Sequence, residues 1–433
     1  MWFFSWLLNA LYLLLLLFLS PWLIFRAVTT GRYREGFLEK CFGMVPVLEE
    51  KPDSAGRKRV WIHAVSVGEV QLAETFLKAF RQRYPDFLYA ISTTSRTGME
   101  LAKKKFPDLT VFYCPLDFSW SVGNAFSRIR PDILILVELE LWPNMLLTAK
   151  KRGVPVVVIN ARMGEKSFRG YRRIPWLPAK MMDCLRMVLA QDKSTAEHFR
   201  RLGVEEGRVH EVGSMKYDGA VMDRQNPRTR ALAALWDVTP NDTIFLAGST
   251  QAPEEEMALN TFRELRETFP RLRLILVPRH PERFPEVAKL LEESGFSWQR
   301  RSELTENTES ARILLVDTVG ELGAFWGLAK IGFVGGSMGT RGGQNMIEAA
   351  AYGSAVCFGP NTWNFRDIVA AMLAQNAAVV VRNGEEMTAF VRWCLTDASF
   401  SAALQENATR LIRSQQGATK KTVDFIGEIF EIR

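Results

Sequence analysis

Glycines and one carboxylate follow an apolar segment near residue 335 and could bind a nucleotide. The sequence "FVGGSMGTRGGQNMIEAAAYG" predicts a strand that ends at Gly335 and Gly336, followed by Ser337 and a glycine-rich loop that opens a helix. Glycines let backbone N–H groups approach a phosphate, and a helix N-terminus favours negative charge. Glu348, just past Asn345, can accept both hydroxyls of a ribose. The alternative is a glycine-rich loop with a helix-capping glutamate. The pattern is not GxGxxG, which disfavours a nicotinamide cofactor.

Two further apolar segments end in residues that suit a bound nucleotide. In "LILVPRHPERF", Arg279 and His280 follow the strand and could meet a phosphate or a base, while Pro278 stiffens the turn. In "VDTVGELGAFWGLA", Gly320 and Glu321 stand at the start of a helix. Glutamate at a helix N-terminus is ordinary, so the second segment is a weak indication by itself. Surface residues of a strand-to-helix loop are the alternative for the first.

Carboxylates also end apolar segments in the first half of the chain. "WIHAVSVGEV" (61–70) passes one glycine before Glu69, where a helix begins. A phosphate-binding turn would carry more glycines and no negative charge there, so Glu69 is a helix cap or has another role. In "VELELWPN", Glu138 ends an otherwise apolar strand, and a half-buried carboxylate needs a partner or a role. Lys216, in "VGSMKYD", is a candidate partner across the predicted cleft.

A basic segment, "NARMGEKSFRGYRRIPW", intersperses cationic residues with aromatic ones. Its basic residues are Arg162, Lys166, Arg169, Arg172 and Arg173. On a membrane-anchored protein such a segment suits anionic lipid headgroups. A solvated basic helix is the alternative.

Alternating apolar and helical stretches must position these residues. Six strands are predicted within 59–191 and six more within 243–359, with helices between them. This alternation predicts an α/β fold of two doubly wound domains, each with a parallel sheet, facing each other across a cleft. A polar break at 218–242 separates them. We place the domains at 29–225 and 226–433, with the last helix as a candidate to cross back onto the first.

The N-terminus is predicted to anchor the chain in a membrane. Residues 1–28 contain no charge before Arg26, and "WLLNALYLLLLLFLSPWLIF" is long enough to span a bilayer. Neither the basic start nor the cleavage site of a signal peptide is visible. Arg26, Arg32 and Arg34 then place the rest of the chain in the cytoplasm by the positive-inside rule. Alternatively, Pro21 bends the segment so that it dips into one leaflet. Either way, the rest of the chain is expected to lie against the inner surface of a membrane.

Composition excludes several classes of function. The chain has 433 residues, 47% hydrophobic and 24% charged, which is typical of a globular protein with two domains. A net charge of +7 favours an anionic partner, such as an acidic lipid or a phosphorylated substrate. No block of like charges and no RNA- or DNA-binding motif is present, so a nucleic acid is not expected. The five cysteines and four histidines show no metal-binding spacing, so no metal is predicted.

Taken together, these residues resemble the 3-deoxy-D-manno-oct-2-ulosonic acid (Kdo) transferases of lipopolysaccharide synthesis. The motifs run in order through nearly the whole chain: "SVGE", "ELWPN", "NAR", "GSMKYD", "VPRHPERF", "DTVGEL", "FVGGS", "GGQNMIEAAAYG" and "GPNTWNF". The resemblance implies the two-domain GT-B glycosyltransferase fold at the cytoplasmic face of the inner membrane. It also implies transfer of Kdo from CMP-Kdo to a lipid A precursor (lipid IVA), with inversion at the anomeric carbon. The chain departs from the family in "VGE", "NMIE" and the middle of "GGSMGTRGG", which keep the glycines and backbone contacts.

The resemblance also implies roles for individual residues. The family's catalytic base falls on Glu69, and the residues that support its transition state fall on Glu138 and Lys216. Its CMP contacts fall on Pro278, Arg279, Val319, Gly320, Glu321, Asn345, Met346, Ile347 and Glu348. No cofactor is implied, since CMP-Kdo is a substrate. CMP carries one phosphate, so a bridging metal is less needed than for a diphosphate.

Two alternatives stay open at this point. Another GT-B enzyme, using a UDP-sugar on a lipid or peptidoglycan precursor, would have a similar glycine-rich loop and ribose-binding carboxylate. "VPRHPERF" together with "SVGE" favours CMP-Kdo over that alternative. A catalytically inactive, membrane-anchored scaffold would make the carboxylates dispensable.

Overall fold

A computed structural model describes residues 2–30, 35–48, 56–173, 176–305 and 311–431, so Arg32 and Arg34 lie outside the described residues. The chain divides into two compact units.

The first unit comprises residues 1–218 and 416–433, and the second comprises 219–415. This division lies before the predicted boundary at 225/226. The reason is that Arg224 belongs to the second unit, where its guanidinium donates to the backbone carbonyls of Tyr352 (2.6 Å) and Ala329 (2.8 Å).

The first unit is built on one parallel sheet of seven strands: β1 (Arg59–His63), β2 (Leu88–Thr93), β3 (Thr110–Tyr113), β4 (Ile133–Val137), β5 (Val156–Ala161), β6 (Leu185–Ala190) and β7 (Val209–Glu211). The strand order is β3-β2-β1-β4-β5-β6-β7, so the direction of winding reverses between β1 and β4. Both faces of β1, β4 and β5 are buried, as expected for a parallel sheet covered by helices. In such sheets, ligands bind at the carboxyl ends of the strands beside the reversal.

Helices connect these strands and cover the sheet. They are α1 (Trp2–Thr30), α2 (Phe37–Phe42), α3 (Val67–Arg83), α4 (Arg96–Lys105), α5 (Ser119–Ile129), α6 (Pro143–Lys151), α7 (Glu165–Arg172), α8 (Trp176–Met182) and α9 (Lys193–Arg201). Among the described residues, α1 is the one helix long and apolar enough to cross a membrane. Its segment Ser5–Trp22 has a mean hydropathy of 1.6, and 11% of this segment is buried within the protein.

The second unit repeats the plan with a second parallel sheet. Its strands are β8 (Thr243–Thr250), β9 (Leu272–Pro278), β10 (Trp298–Arg300), β11 (Ile313–Leu315), β12 (Ile331–Val334), β13 (Ala355–Phe358) and β14 (Ala378–Val380). Their order is β10-β11-β9-β8-β12-β13-β14, with the reversal between β8 and β12. The helices that follow in the chain are α10 (Pro227–Leu235), α11 (Glu254–Leu265), α12 (Phe284–Glu293), α13 (Leu322–Trp326), α14 (Ile347–Ala351), α15 (Arg366–Ala374), α16 (Gly384–Thr396), α17 (Ala398–Gln415) and α18 (Ala418–Glu431).

The last helix, α18, packs on α3 and so belongs to the first unit. Its buried residues Val423 and Ile426 share a core with Phe76 and Phe80 of α3. The carboxylate of Asp218 accepts hydrogen bonds from the first backbone N–H groups of this segment, those of residues 417 and 419. The predicted α/β fold class, two doubly wound units with parallel sheets, is confirmed.

Candidate functional site

Glu69 lies at the carboxyl end of β1, in the first turn of α3. Ser66 is the N-cap of this helix, and its hydroxyl accepts a hydrogen bond from the Glu69 N–H at 3.3 Å. The Glu69 carboxylate turns back: Oε2 accepts from the Val65 N–H at 2.7 Å, and Oε1 accepts from the Ser66 hydroxyl at 2.9 Å. This arrangement is a variant of the capping box, in which the carboxylate binds the N–H of the residue before the N-cap. Glu69 therefore caps its helix, and the same hydrogen bonds fix the position of its carboxylate.

The surroundings of Glu69 make its carboxylate a stronger base than an exposed one. Burial raises the pKa of Glu69 to about 7, against the opposing effect of hydrogen bonds from Val65 and Ser66, and the charges of Glu140 and Glu138 raise it further. A general base works best when its pKa is near the operating pH. The neighbouring histidine on β1, His63, is fully buried, and burial lowers its pKa to about 4, so it is neutral at pH 7.

Glu138 and Lys216, predicted as partners across a cleft, pair with each other but belong to the same unit, the first. Lys216 Nζ lies 3.0 Å from Glu138 Oε1, and both side chains are partly buried. Glu138 follows β4, the neighbour of β1, and has a positive φ of 62°, which is uncommon for a residue other than glycine. Such backbone strain persists when the surroundings hold it, and here the Glu138 N–H donates to the Ile159 carbonyl at 3.0 Å. The ion pair and Glu69 thus occupy adjacent strand ends.

Two residues of this region were not assigned from the sequence. Asn160 is fully buried, also with a positive φ (50°), and its Oδ1 accepts from the Met215 N–H at 3.0 Å, next to Lys216. Glu140 is half-buried, accepts from the Trp142 indole N–H at 3.0 Å, and has a pKa raised mainly by burial. Both lie in motifs already noted, "NAR" and "ELWPN". Asn160 positions the segment that carries Lys216.

The predicted basic segment forms α7 and its flanks. All five of its basic residues are exposed: Arg162, Lys166, Arg169, Arg172 and Arg173. Arg169 pairs with Glu165 one turn earlier at 2.8 Å. The buried Phe168 ring stacks on His198, with centroids 4.4 Å apart, and holds the helix to the unit. An exposed cationic face agrees both with a segment that contacts anionic lipid headgroups and with a basic helix that is only solvated.

In the second unit, the glycine segment after β12 is occupied by a side chain of the protein itself. The buried carboxylate of Glu254, at the start of α11, accepts from the N–H groups of Gly336 (2.8 Å), Ser337 (2.9 Å) and Met338 (2.9 Å). The Gly335 N–H donates to the Gly248 carbonyl at 2.8 Å. The N–H groups of Gly335, Gly336 and Ser337, predicted as candidates to meet a phosphate, thus bind a carboxylate or a carbonyl of the protein in this structure.

We expect Glu254→Ala to destabilise the second unit by about 3 kcal/mol or more, since each buried N–H left without an acceptor costs about 1 kcal/mol or more. Thermal unfolding of the purified protein measures this. The control is Glu256→Ala, an exposed neighbour in the same helix turn, which should change stability by less than about 0.5 kcal/mol. Equal effects of the two substitutions would contradict a special role of Glu254.

Three of the predicted nucleotide contacts line a cavity of about 580 Å³ in the second unit. Gly320, Glu321 and Glu348 line it, together with two basic residues that were missed from the sequence, Arg228 and Arg301. Arg301 Nη2 donates to Glu321 Oε1 at 2.8 Å, and the Thr318 hydroxyl donates to the other oxygen of Glu321. Arg301 follows a strand of three residues, β10, which gives little signal in the sequence.

The remaining CMP-binding candidates differ in what they expose. Met346 and Ile347 are buried (0% and 2% exposed), so only their backbone could contact a ligand, whereas the Val319 side chain is 79% exposed. The Asn345 amide donates to Glu348 Oε1 at 3.4 Å, and burial raises the pKa of Glu348.

At the end of β9, Pro278 is buried while Arg279 and His280 are exposed. The Arg279 N–H donates to the Thr250 carbonyl at 3.0 Å, which ties this turn to the neighbouring strand β8.

Within the described ranges, no three His, Cys, Asp or Glu side chains form a group that could hold a metal ion. The five cysteines are free thiols. That the reaction needs no metal stays a prediction. The chemistry available from the residues that are present is a carboxylate base and an ion pair in the first unit, and a cavity with carboxylates and guanidinium groups in the second.

Comparisons with known proteins agree with this chemistry. The family 3-Deoxy-D-manno-octulosonic-acid transferase (kdotransferase) matches residues 36–219. The 3-deoxy-D-manno-octulosonic acid transferase of Haemophilus influenzae is 30% identical over 407 residues, covering 94% of either chain. That of Bordetella pertussis is 30% identical, covering 96% of this chain and 98% of its own.

Solved structures share the fold. A glycosyltransferase from Rickettsia africae superposes with a TM-score of 0.54 at 14% identity, covering 86% of this chain and 99% of its own. The UDP-GlcNAc 2-epimerase of Neisseria meningitidis, bound to UDP-GlcNAc, gives 0.57 at 12% identity, covering 86% and 100%. At such identities the likeness concerns the fold alone.

Proposed function

We propose that this chain, which belongs to the 3-deoxy-D-manno-octulosonic-acid (Kdo) transferase family, moves Kdo from CMP-Kdo to a lipid A precursor, lipid IVA, with inversion at the anomeric carbon. The observation that carries the proposal is the match of 30% identity along 94% of the chain to a transferase of that name. The cytoplasmic face of the inner membrane is the proposed location, with α1 as the anchor.

An inverting transfer is a single displacement. The acceptor hydroxyl gives its proton to Glu69 while its oxygen forms a bond to the anomeric carbon of Kdo. The bond from that carbon to the CMP phosphate oxygen breaks at the same time, and its electron pair leaves with CMP. A base whose pKa is near 7 is able to accept this proton at neutral pH.

Glu138 and Lys216 are proposed to support the transition state. The ammonium of Lys216, held at 3.0 Å by Glu138, is a donor next to the strand end that carries the base. A preorganised charge of this kind stabilises negative charge that develops during the reaction. Asn160 assists indirectly, because it fixes the backbone beside Lys216.

The second unit is proposed to bind CMP in its 580 Å³ cavity. The Glu348 carboxylate accepts hydrogen bonds from the ribose hydroxyls, and the backbone around Gly320 lies against the base. Because the glycine segment is occupied by Glu254, guanidinium groups supply the charge that meets the phosphate. Arg279 is the exposed candidate for that role.

Arg301→Ala is expected to weaken CMP binding about 10-fold, equivalent to about 1.4 kcal/mol. Its removal leaves the Glu321 carboxylate without its cationic partner in a cavity that must take an anion. Isothermal titration with CMP measures the affinity.

The double variant Arg301→Ala/Glu321→Gln should recover part of the lost affinity, since the repulsive charge is gone. Arg300→Ala is the matched control: Arg300 pairs with Glu303 (3.6 Å) and Asp317 (3.8 Å) and does not line the cavity. Unchanged CMP binding in Arg301→Ala would refute the placement of the nucleotide.

The function itself is tested with purified enzyme, CMP-Kdo and a tetra-acylated lipid A precursor, the products being identified by mass spectrometry. A mass increase of one or more Kdo units is expected. Transfer from a UDP-sugar, together with tighter binding of UDP than of CMP, would instead support the alternative GT-B enzyme. An inactive protein that binds neither nucleotide would support the scaffold.

A further inference from the structure

Helix α1 is held to the first unit by buried hydrogen bonds. Asn9 is only 4% exposed. Its Oδ1 accepts hydrogen bonds from the Ser119 N–H (3.0 Å) and from the Asn144 side-chain amide (3.3 Å). Its Nδ2 donates to the Ser119 hydroxyl (2.7 Å). One turn later, the Tyr12 hydroxyl donates to Asp117 Oδ2 at 3.1 Å. We call Asn9, Tyr12, Asp117, Ser119 and Asn144 the polar latch.

The half of the polar latch that lies outside α1 is fixed by the fold. Asp117 is buried and accepts from the N–H groups of Asn144 and Met145, both at 2.9 Å, at the start of α6. Asn144 is 1% exposed, and its amide also donates to the Asp117 carbonyl at 2.5 Å. These polar groups are therefore in place to receive Asn9 and Tyr12.

The polar latch conflicts with a helix that crosses the bilayer. The candidate span begins at Ser5. At a rise of about 1.5 Å per residue, Asn9 and Tyr12 would lie about 6 and 10 Å below one membrane surface. Asp117 and the start of α6 would then lie at the same depth, since they contact Tyr12 directly. Carrying this carboxylate and the polar backbone groups around it to that depth in hydrocarbon is costly.

The outward face of α1 is nonetheless apolar. The helix buries or half-buries the stripe Ser5, Leu8, Asn9, Tyr12 and Leu16 against the unit. The opposite side exposes large apolar side chains: Leu7, Leu11, Leu14, Phe18 and Phe25, of which Phe18 is 83% exposed. With its other face bound to the unit, α1 has only this outer face left to contact hydrocarbon, as a helix lying in one leaflet does.

The apolar surface continues from α1 onto the domain. The Tyr12 ring packs edge-on against Phe118 (5.9 Å between centroids), and Phe118 stacks on Trp120 (4.5 Å). The Trp120 indole donates to the Cys41 carbonyl at 3.0 Å, in α2, where Phe37 is 55% exposed. Lipid would therefore meet one surface made of α1 and its neighbours.

We propose that α1 is a monotopic anchor: it stays bonded to the first unit through the polar latch and inserts its outer face into one leaflet, so that both ends of α1 lie on the same side of the membrane. The partner of this surface is the acyl region of a single bilayer leaflet. The inference concerns attachment and depends on neither the donor nor the acceptor of the proposed reaction.

Protease accessibility of terminal tags tests the topology. The full chain carries a cleavable epitope at the N-terminus and a different one at the C-terminus, and is compared in spheroplasts and in inverted membrane vesicles. A monotopic anchor predicts that both tags are cut in inverted vesicles and both are protected in spheroplasts. A spanning α1 puts the tags on opposite sides, and that result would overturn the proposal.

Disulfide cross-linking tests the polar latch in the membrane. Asn9→Cys paired with Ser119→Cys should form an intramolecular disulfide on oxidation, because the two side chains are in contact. Leu14→Cys paired with Ser119→Cys is the control, since Leu14 is 64% exposed on the outer face. Equal cross-linking of the two pairs, or none of the first, would refute the latch even if the tags lie on one side.

Discussion

Glu69→Gln is expected to lower the rate of Kdo transfer about 10²- to 10⁴-fold, the usual contribution of a general base. The amide keeps the size of the side chain but cannot accept the proton of the acceptor hydroxyl. CMP binding should be unchanged, because the proposed nucleotide cavity is formed entirely by residues of the second unit. Single-turnover transfer and CMP titration on the same preparation separate the two effects.

Ser66→Ala is the matched control for the capping role. It removes the hydroxyl that bonds to Glu69 but leaves the carboxylate, and loss of an N-cap costs about 1 kcal/mol of stability. Transfer by Ser66→Ala should stay within a few-fold of wild type. If Ser66→Ala loses as much activity as Glu69→Gln, the capping box explains both results and Glu69 is not the base.

The pKa of Glu69 also predicts the pH dependence. Only the ionised carboxylate accepts a proton, so the rate should fall as pH decreases through about 7 in the wild type. This acidic limb should be absent from the residual activity of Glu69→Gln.

The contribution of Glu69 to the free energy of unfolding changes with pH in the direction opposite to the rate. Because the pKa is raised above its ordinary value of 4.5, the neutral carboxyl stabilises the folded state below that pH. This contribution is lost as pH rises to about 7.

Lys216→Ala has the second largest expected effect, a loss of about 10²- to 10³-fold in kcat, comparable to the removal of one preorganised donor. It deletes the cation and leaves the partly buried Glu138 carboxylate unpaired. Glu138→Gln should reduce kcat in the same direction, because the ammonium loses the partner that orients it. Steady-state kinetics with CMP-Kdo and the lipid acceptor measure both.

A double-mutant cycle decides whether the two residues act as a unit. If they do, Lys216→Ala/Glu138→Gln should be little worse than the more damaging single variant. Breaking an exposed ion pair of the same unit, Arg81–Asp108 (2.7 Å), should leave kcat unchanged. Fully additive losses would show that Glu138 and Lys216 serve separate functions.

The sheets were predictable from local pattern, except for one edge strand of each sheet. The apolar runs at 88–93 and 272–278 coincide with β2 and β9, because a strand buried on both faces reads as an uninterrupted apolar segment. Two short edge strands, β7 (Val209–Glu211) and β14 (Ala378–Val380), were missed. Three residues with one neighbouring strand leave almost no pattern in a sequence.

In the candidate site, too, some contacts were predictable from the sequence and others were not. Glu138 was recognised because a carboxylate at the end of an apolar strand needs a partner, and Lys216 was named as that partner from its motif. The occupancy of the glycine segment by Glu254 could not be predicted. Glu254 precedes Gly336 by 82 residues, and its own stretch, "PEEE", looks like an ordinary acidic helix start. Only the tertiary structure shows which carboxylate meets which N–H groups.

The return of α18 to the first unit has a consequence for biosynthesis. The second unit is complete when residue 415 has left the ribosome, whereas the core beneath α3 lacks Val423 and Ile426 until those later residues have been translated. Most of the first unit is translated first, but its hydrophobic core is therefore the last to be completed. A stop codon at position 416 would spare the nucleotide cavity and leave the core of the unit that carries Glu69 incomplete.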